Sequence, residues 1–530
     1  MTNLNVLLDV IQPPSRLTAF CESGETEMTC SGDGVWSVED ITVTTKPTGQ
    51  TLPVLLSAPQ SAVKRLRLRW KLPGHGAKRI LGDAWERGYG DLEWRSVTPE
   101  RPLPWYFLAS DGVKTHGVGV KTGPGSLCFW QVDSAGVTLT LDVRSGGVGV
   151  QLGGRVLEAA TIAARAGTED ESAFGSAQAF CRTLCDNPRL PREPVYGGND
   201  WYYAYGVSSH AQILGDARLI ASAAPEGGSR PFMVIDDGWQ LTGPNCSGGP
   251  WRYSNPAFPD MPRLASQMKS LGVRPGLWMR LLTTTERLPW AWFRQPGILD
   301  PSVPEVLDQV RSDVARCAGW GYEMIKHDFS TYDIFGGRWG FEMGSEIMPD
   351  GWRFADRSRT TAEIVTAFYQ AIREGAGDAL VLGCNVIGHL AAGLIEVQRT
   401  GDDTSGRDWN RTRKMGINTL AFRMPQHGAF FAADADCVGL TTEIPWALNA
   451  QWLDLLARSG TALFVSAAQN AVGPEQLIAL KQAFAHAARP HHAGEPLDWL
   501  DTTCPERWRF GSEEAAYDWY NAQVASPKVD

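Results

Sequence analysis

Two periodicities divide the chain. Up to about residue 185, apolar and polar positions alternate. Val63, Leu66, Leu68, Trp70 and Leu72 share one face of a run whose other face carries Arg65, Arg67, Arg69 and Lys71. Val137, Leu139, Leu141 and Val143 alternate likewise with Thr138, Thr140, Asp142 and Arg144. A two-residue period with one wet face marks antiparallel sheet. Glycine-containing turns between such runs predict a β-sandwich over 1–185. A short helical stretch closes it near Cys185, and the proline-rich segment 186–194 reads as a linker.

From 195 to 490, short apolar runs alternate with helix-length stretches. The runs at 195–200, 232–236, 273–279, 322–327, 379–385, 395–399, 429–433 and 460–466 predict eight strands. Helical patterns occupy 302–318, 360–374, 444–458 and 474–488. Eight β/α repeats predict a (β/α)8 TIM barrel. A doubly wound sheet is the competing reading, but no Gly-x-Gly-x-x-Gly follows a strand. Residues 491–530 hold two aromatic runs, 507–510 and 516–520, which predict a short C-terminal β extension.

A chain of 530 residues exceeds what one core supports, and 43% hydrophobic with 20% charged residues is a globular composition. The formal net charge of −10 argues against nucleic acid as a partner. No stretch approaches the ~20 apolar residues of a membrane span. The first residues lack the basic and apolar regions of a secretory signal, and ten Cys show no metal-type spacing. A cytoplasmic protein with reduced thiols is the expectation. Trp is the outlier at 21 residues, either as core material or as faces that stack on sugar rings.

Polar groups collect at the ends of the predicted strands, where barrel active sites form. Strand two runs into Asp236-Asp237. Adjacent carboxylates there call for sugar hydroxyls, a helix N-cap or a metal, and the residues alone leave these open. Strand four ends Lys326-His327-Asp328. Lys326 and Asp328 point to one side, and an ammonium beside a carboxylate keeps it ionised, as a nucleophile needs. A purely structural salt bridge would look the same. His327 faces the other way, into packing. Strand six ends Arg399-Thr400-Gly401-Asp402-Asp403, placing Asp403 75 positions after Asp328. A catalytic acid needs a raised pKa, which burial and a neighbouring carboxylate supply. Physics does not choose between Asp402 and Asp403. Trp201, Trp278 with Arg280, Cys384 with Asn385, and Asp434 with Asp436 lie near other strand ends. Two carboxylates on one barrel mouth are the equipment for breaking a glycosidic bond.

These motifs resemble the retaining α-galactosidases of glycoside hydrolase family 36, relatives of family 27. Asp-Asp-Gly-Trp-Gln (236–240), Lys-x-Asp-Phe (326–329) and Arg-x-Gly-x-Asp-Thr (399–404) carry the resemblance in order and spacing. It spans the barrel and the preceding β-domain, and the stretch 85–94 resembles the family's N-terminal domain, whose loops reach the barrel mouth. The resemblance implies that Asp328 is the nucleophile and Asp403 the acid/base, with Arg399 beside it. It implies that Lys326 contacts sugar hydroxyls, that Asp236 and Asp237 grip the axial O4 and O6 of galactose, and that Trp201 and Trp239 wall the pocket. Trp278, Arg280, Cys384 and Asn385 join them as substrate-binding candidates. Arg280 and the Cys384-Asn385 pair depart from the family pattern, and Arg280 in the pocket would point to an acidic or otherwise modified sugar. The family's C-terminal β-domain looks reduced here. The implied activity is retaining exo-hydrolysis of terminal α-galactosyl units, without metal or organic cofactor, on an oligosaccharide or α-glycoside. Alternatives are a transglycosylase of the raffinose- or stachyose-synthase kind, a hydrolase of another α-glycoside, and a silent carbohydrate-binding protein. Many relatives are homo-oligomers.

Overall fold

A computed structural model describes residues 3–244 and 248–520. The N-terminal part is an antiparallel β-sandwich of a six-stranded and an eight-stranded sheet. Its inner positions are the expected ones. Leu66, Leu68, Trp70, Leu139 and Leu141 from one sheet are buried with Leu52, Leu56, Val118 and Ile162 from the other. Val63 shares the buried face of Leu66 despite its odd spacing, because Lys64 is an extra residue in the pairing with Phe20 and Cys21. The helix Ala173–Leu184 follows, capped by the Ser172 hydroxyl on the Gly175 amide.

Eight parallel strands then close a barrel: Tyr196–Asn199, Phe232–Ile235, Arg274–Met279, Met324–His327, Leu380–Gly383, Val397–Arg399, Ala432–Leu440 and Ala462–Ala467. Strand one pairs with strand eight through Gly197 and Phe464, which completes the ring. Parallel strands covered on both faces read as unbroken apolar runs, and Phe232–Ile235 is buried at every position. The helices Pro304–Gly319, Thr361–Ala376, Trp446–Ser459 and Pro474–Ala487 pack outside. Thr361–Ala376 opens with a capping box between Thr360 and Glu363. Among the described residues no helix is long and apolar enough to cross a membrane.

Two elements differ from expectation. Strand seven starts at Ala432 and runs to Leu440, past Asp434 and Asp436, which were expected to lie beyond its end. A bulge between Asp434 and Cys437 accommodates Asp436 at φ +71, and both carboxylates are buried. At the C-terminus, Arg507–Phe510 pairs with Glu513–Ala516 and Glu495–Pro496 in a three-stranded sheet. The aromatic run 516–520 mostly follows the last strand. Tyr517 and Trp519 are instead buried, and the Trp519 carbonyl accepts from the Trp409 indole at 3.0 Å.

Candidate active site

At the C-terminal mouth of the barrel lies a cavity of about 290 Å³, the small end of ligand-pocket sizes. Asp236, Asp237, Asp328, Asp402 and Asp403 line it together with Arg87, Lys326 and Arg411. Trp201, Trp278, Phe329 and Trp339 supply aromatic surface. A larger groove of about 830 Å³ runs between sandwich and barrel. Charged groups along it pair with one another, Lys121 with Asp186 and Arg155 with Glu363. The convergent carboxylates are in the smaller cavity.

The end of strand two forms its floor. Lys326 donates to Asp236 Oδ2 at 2.6 Å, and Asn199 Nδ2 donates to the same oxygen at 2.7 Å. Burial opposes the lysine charge, but Asp236 together with Cys384 and Asp328 outweighs it and holds the ammonium protonated. The salt bridge of Lys326 is thus to Asp236 rather than to Asp328. Beneath them, the Asp200 carboxylate accepts the Asp236 N–H at 2.8 Å. Burial and the Asp236 charge push Asp200 up to about 7. Asp237 accepts from Gln240 Nε2 at 2.6 Å.

Asp328 follows strand four on a sharp turn. Its N–H donates to the Met279 carbonyl at 3.0 Å, and its Oδ1 accepts from the Phe329 N–H at 2.7 Å. The Trp278 indole donates to Oδ2 at 3.2 Å. Phe329 sits at φ +60, an uncommon conformation for a bulky residue. Backbone strain of this kind costs ~1–3 kcal/mol and clusters at functional sites. His327 is buried behind the strand, against Ser330 Oγ at 3.0 Å, with its pKa pushed down to about 3 by burial.

The loop after strand six carries the other two carboxylates. Asp402 is clamped, with Oδ1 2.7 Å from Arg87 Nη2 and Oδ2 2.7 Å from Arg411 Nη2. Asp403 is freer. Arg399 approaches its Oδ1 at 3.3 Å, and 37% of its side chain stays open to the mouth. Burial raises the Asp403 pKa, but Arg399, Arg87, Lys326 and Arg411 together outweigh it, so the net shift is downward. This corrects the sequence-based expectation of a raised value, which counted burial and the neighbouring carboxylate but not these cations.

Arg87 comes from the sandwich, where sequence reasoning placed only a resemblance and no site residue. Its loop docks on the barrel as an extra edge. Gly88 N donates to the Thr400 carbonyl at 2.8 Å, and Asp402 N donates to the Gly88 carbonyl at 2.9 Å. A Cβ at Gly88 would lie 2.9 Å from Thr419 Cγ2, so the close approach requires glycine. Next to it, Glu86 is fully buried and accepts from the Gly340 N–H at 3.0 Å, from Asn385 and from Tyr89. The guanidinium of Arg87 lies over the Trp339 ring, 5.3 Å from its centroid.

Of the sequence candidates, Asp236, Asp237, Asp328, Asp403, Lys326, Trp201 and Trp278 meet in the cavity. Five others stand behind its lining. Trp239 is fully buried and donates to the Trp278 carbonyl at 2.9 Å. Cys384 and Asn385 are fully buried, the thiol accepting from Arg399 at 3.3 Å. Arg399 is 1% exposed. Arg280 is turned aside by Asp333, which accepts from it at 2.5 and 3.0 Å, and its guanidinium covers Phe329 at 4.5 Å. The acidic-substrate expectation built on Arg280 therefore loses its ground. Arg87, Arg411, Phe329 and Trp339 were missed as lining residues. Of these, Phe329 stood in a quoted motif and Arg87 in the stretch 85–94.

No protein-family model and no curated protein matches the chain. Solved structures do. The chain resembles TtGalA, an α-galactosidase from Thermus thermophilus in complex with p-nitrophenyl α-D-galactopyranoside, at 18% identity over 95% of this chain and 99% of that one, with a TM-score of 0.59. It resembles an AgaA variant, a GH36 α-galactosidase from Geobacillus stearothermophilus in complex with 1-deoxygalactonojirimycin, at 15% identity over 89% and 75%, with a TM-score of 0.57. It also resembles a GH31 family sulfoquinovosidase from E. rectale in complex with an aza-sugar inhibitor, at 10% identity over 96% and 87%, with a TM-score of 0.60. At these identities the likeness speaks to fold: a β-sandwich joined to a (β/α)8 barrel.

Proposed function

We propose that the protein is a retaining exo-acting glycoside hydrolase for terminal α-galactosyl units. The observation that carries this reading is the convergence of Asp328, Asp403 and the Asp236–Asp237 pair on one small cavity at the barrel mouth. Asp328 attacks the anomeric carbon and forms a glycosyl ester while Asp403 gives its proton to the departing oxygen. Water then attacks the same carbon, its proton passes to Asp403, and Asp328 leaves as a carboxylate. Asp403 rather than Asp402 takes this role, because both Asp402 oxygens are held by guanidinium groups at 2.7 Å. An ionised Asp403 suits the second step as base. For the first step, substrate filling the cavity displaces water from the carboxylate and raises its proton affinity. The side-chain oxygens of Asp236 and Asp237 accept hydrogen bonds from the sugar hydroxyls. The galactose assignment draws on the motif resemblance and on the galactosidases among the similar folds.

The test is turnover of aryl α-galactosides by the wild type and by Asp328→Gly with added azide. Wild-type activity, an inactive variant and a rescued β-galactosyl azide support the reading. Turnover of a different aryl α-glycoside would move the sugar and keep the mechanism. Silence on every glycoside would refute it. Transglycosylation is a second reading, favoured by Trp339. This half-buried ring lines the mouth and packs on Tyr332 at 4.5 Å, adding aromatic surface that an acceptor sugar would meet. Oligosaccharide products exceeding free galactose at millimolar acceptor would support it.

A further inference from the structure

Asp436 stands outside the lining of the mouth cavity and is 3% exposed, yet it sits at the strand-seven bulge in a strained backbone conformation, φ +71. Four donors converge on its Oδ2. They are Arg399 Nη2 at 2.8 Å, Thr404 N at 2.7 Å, Thr404 Oγ1 at 2.9 Å and the Tyr202 hydroxyl. Each leads to the cavity. Thr404 follows Asp403, Tyr202 follows Trp201, and Arg399 is the cation held against Asp403 at 3.3 Å. The guanidinium is thus shared between two carboxylates, and the shorter contact belongs to Asp436.

Other charged groups act on the same point. Arg87, Lys326 and Arg411 attract the Asp403 carboxylate along with Arg399. Asp434 accepts the Asp436 N–H at 2.9 Å, and burial pushes its pKa up to about 6. Asp328 and Asp402 line the same cavity. Cys384 and Tyr202 are buried and held in their neutral forms. Against so many cations, an acid/base carboxylate keeps a usable proton affinity only if part of that positive charge is drawn elsewhere.

We infer that Asp436 is a positioning residue for the acid/base step: it draws the Arg399 charge away from Asp403 and anchors the following residue, Thr404, so that Asp403 faces the substrate. The inference rests on the glycosidase reading above. Its consequence concerns leaving groups. Protonation by Asp403 matters when the departing oxygen is strongly basic and hardly matters when the leaving group departs unaided.

The experiment compares an unactivated disaccharide with a dinitrophenyl glycoside or glycosyl fluoride of the sugar that the wild type turns over. Asp436→Asn keeps the shape and an acceptor oxygen but removes the charge. Arg399 then pairs with Asp403 alone. The expected result is a kcat/KM reduced ~10²-fold on the disaccharide and less than about 3-fold on the activated substrate. Tyr202→Phe works in the opposite sense. It removes one donor from Asp436 and strengthens its hold on Arg399, so the disaccharide-to-activated ratio stays at or above wild type. Equal loss on both substrates, or no loss on either, in an Asp436→Asn protein that melts with the wild type would overturn the inference. Should Asp436→Asn not fold, a Tyr202→Phe ratio well below wild type overturns it equally. Asp403→Ala separates the two levels. If Asp403→Ala discriminates between the substrates and Asp436→Asn does not, this inference alone fails. If Asp403→Ala does not discriminate, the acid/base assignment fails with it.

Discussion

Replacing Lys326 by methionine tests how the floor of the cavity holds its charge. Lys326 and Asp236 meet at 2.6 Å with side chains 10% and 5% exposed. Two unit charges at that separation attract by ~6 kcal/mol in an effective dielectric of about 20. Much of this offsets the cost of taking both ions out of water, so the pair as a whole contributes little. Removing one partner is different, because it leaves an uncompensated buried charge at a cost of ~3–5 kcal/mol. Methionine fills most of the lysine stem and supplies no charge. With about 2 cal/mol/K of unfolding entropy per residue, a cooperative unit of roughly 300 residues loses ~1.6 °C per kcal/mol, which predicts a melting point lower by ~5–8 °C. The bare Asp236 relieves its position by taking up a proton. It then forfeits charge-assisted hydrogen bonds to the substrate worth ~1.5–3 kcal/mol, which raises KM ~10–150-fold. Calorimetry and steady-state kinetics on the same preparation read both effects. A Lys326→Met protein that melts within about 1 °C of wild type with an unchanged KM would refute the argument.

Arg87→Ala, a change in the sandwich, removes the partner of Asp402 Oδ1 and lowers kcat/KM by ~10–100-fold, with partial recovery on adding free guanidinium; unchanged kinetics would exclude a role for that loop. Asp200 has its folded pKa raised to about 7, so its contribution to stability is present below about pH 4 and is lost as the pH rises through 7. Asp200→Asn should therefore melt with a flatter dependence between pH 5 and 8 than the wild type, by up to ~2.5 kcal/mol across the range, and parallel curves would contradict the burial argument. Asp402→Asn removes the negative charge shared by Arg87 and Arg411 in the cavity wall and should lower stability without the leaving-group discrimination expected of Asp403→Ala, which the same two-substrate assay reads.

The barrel was legible because a parallel strand buried on both faces leaves an uninterrupted apolar run, as in Phe232–Ile235. The same rule explains the miss at strand seven. Asp434 and Asp436 interrupt its run, and the donors that make Asp436 tolerable, Tyr202 and Arg399, lie in other strand ends that no local pattern reports. Arg280 was placed correctly at a strand end but misread, since Asp333 in the next loop captures it. The direction of the Asp403 shift was missed for a related reason. Its adjacent carboxylate is visible in the sequence, whereas Arg87 reaches the same loop from 315 positions upstream of Asp402. Contacts between neighbours in sequence were read well, and contacts closed by the topology were not.

The pairing of Gly88 with the 400–402 loop has a bearing on how such a protein is made. The edge on which that loop hangs is translated well before the loop itself, so the sandwich must be docked before the barrel can acquire its finished mouth. A barrel cut free at the linker would retain every residue of the three sequence motifs and still lack Arg87 and the two backbone hydrogen bonds that seat Asp402. Full activity thus reports on assembly: until both parts have met, the mouth lacks the Arg87 charge and the seat of Asp402. For the same reason, grafting this barrel onto a foreign partner would carry over the motifs without the finished site.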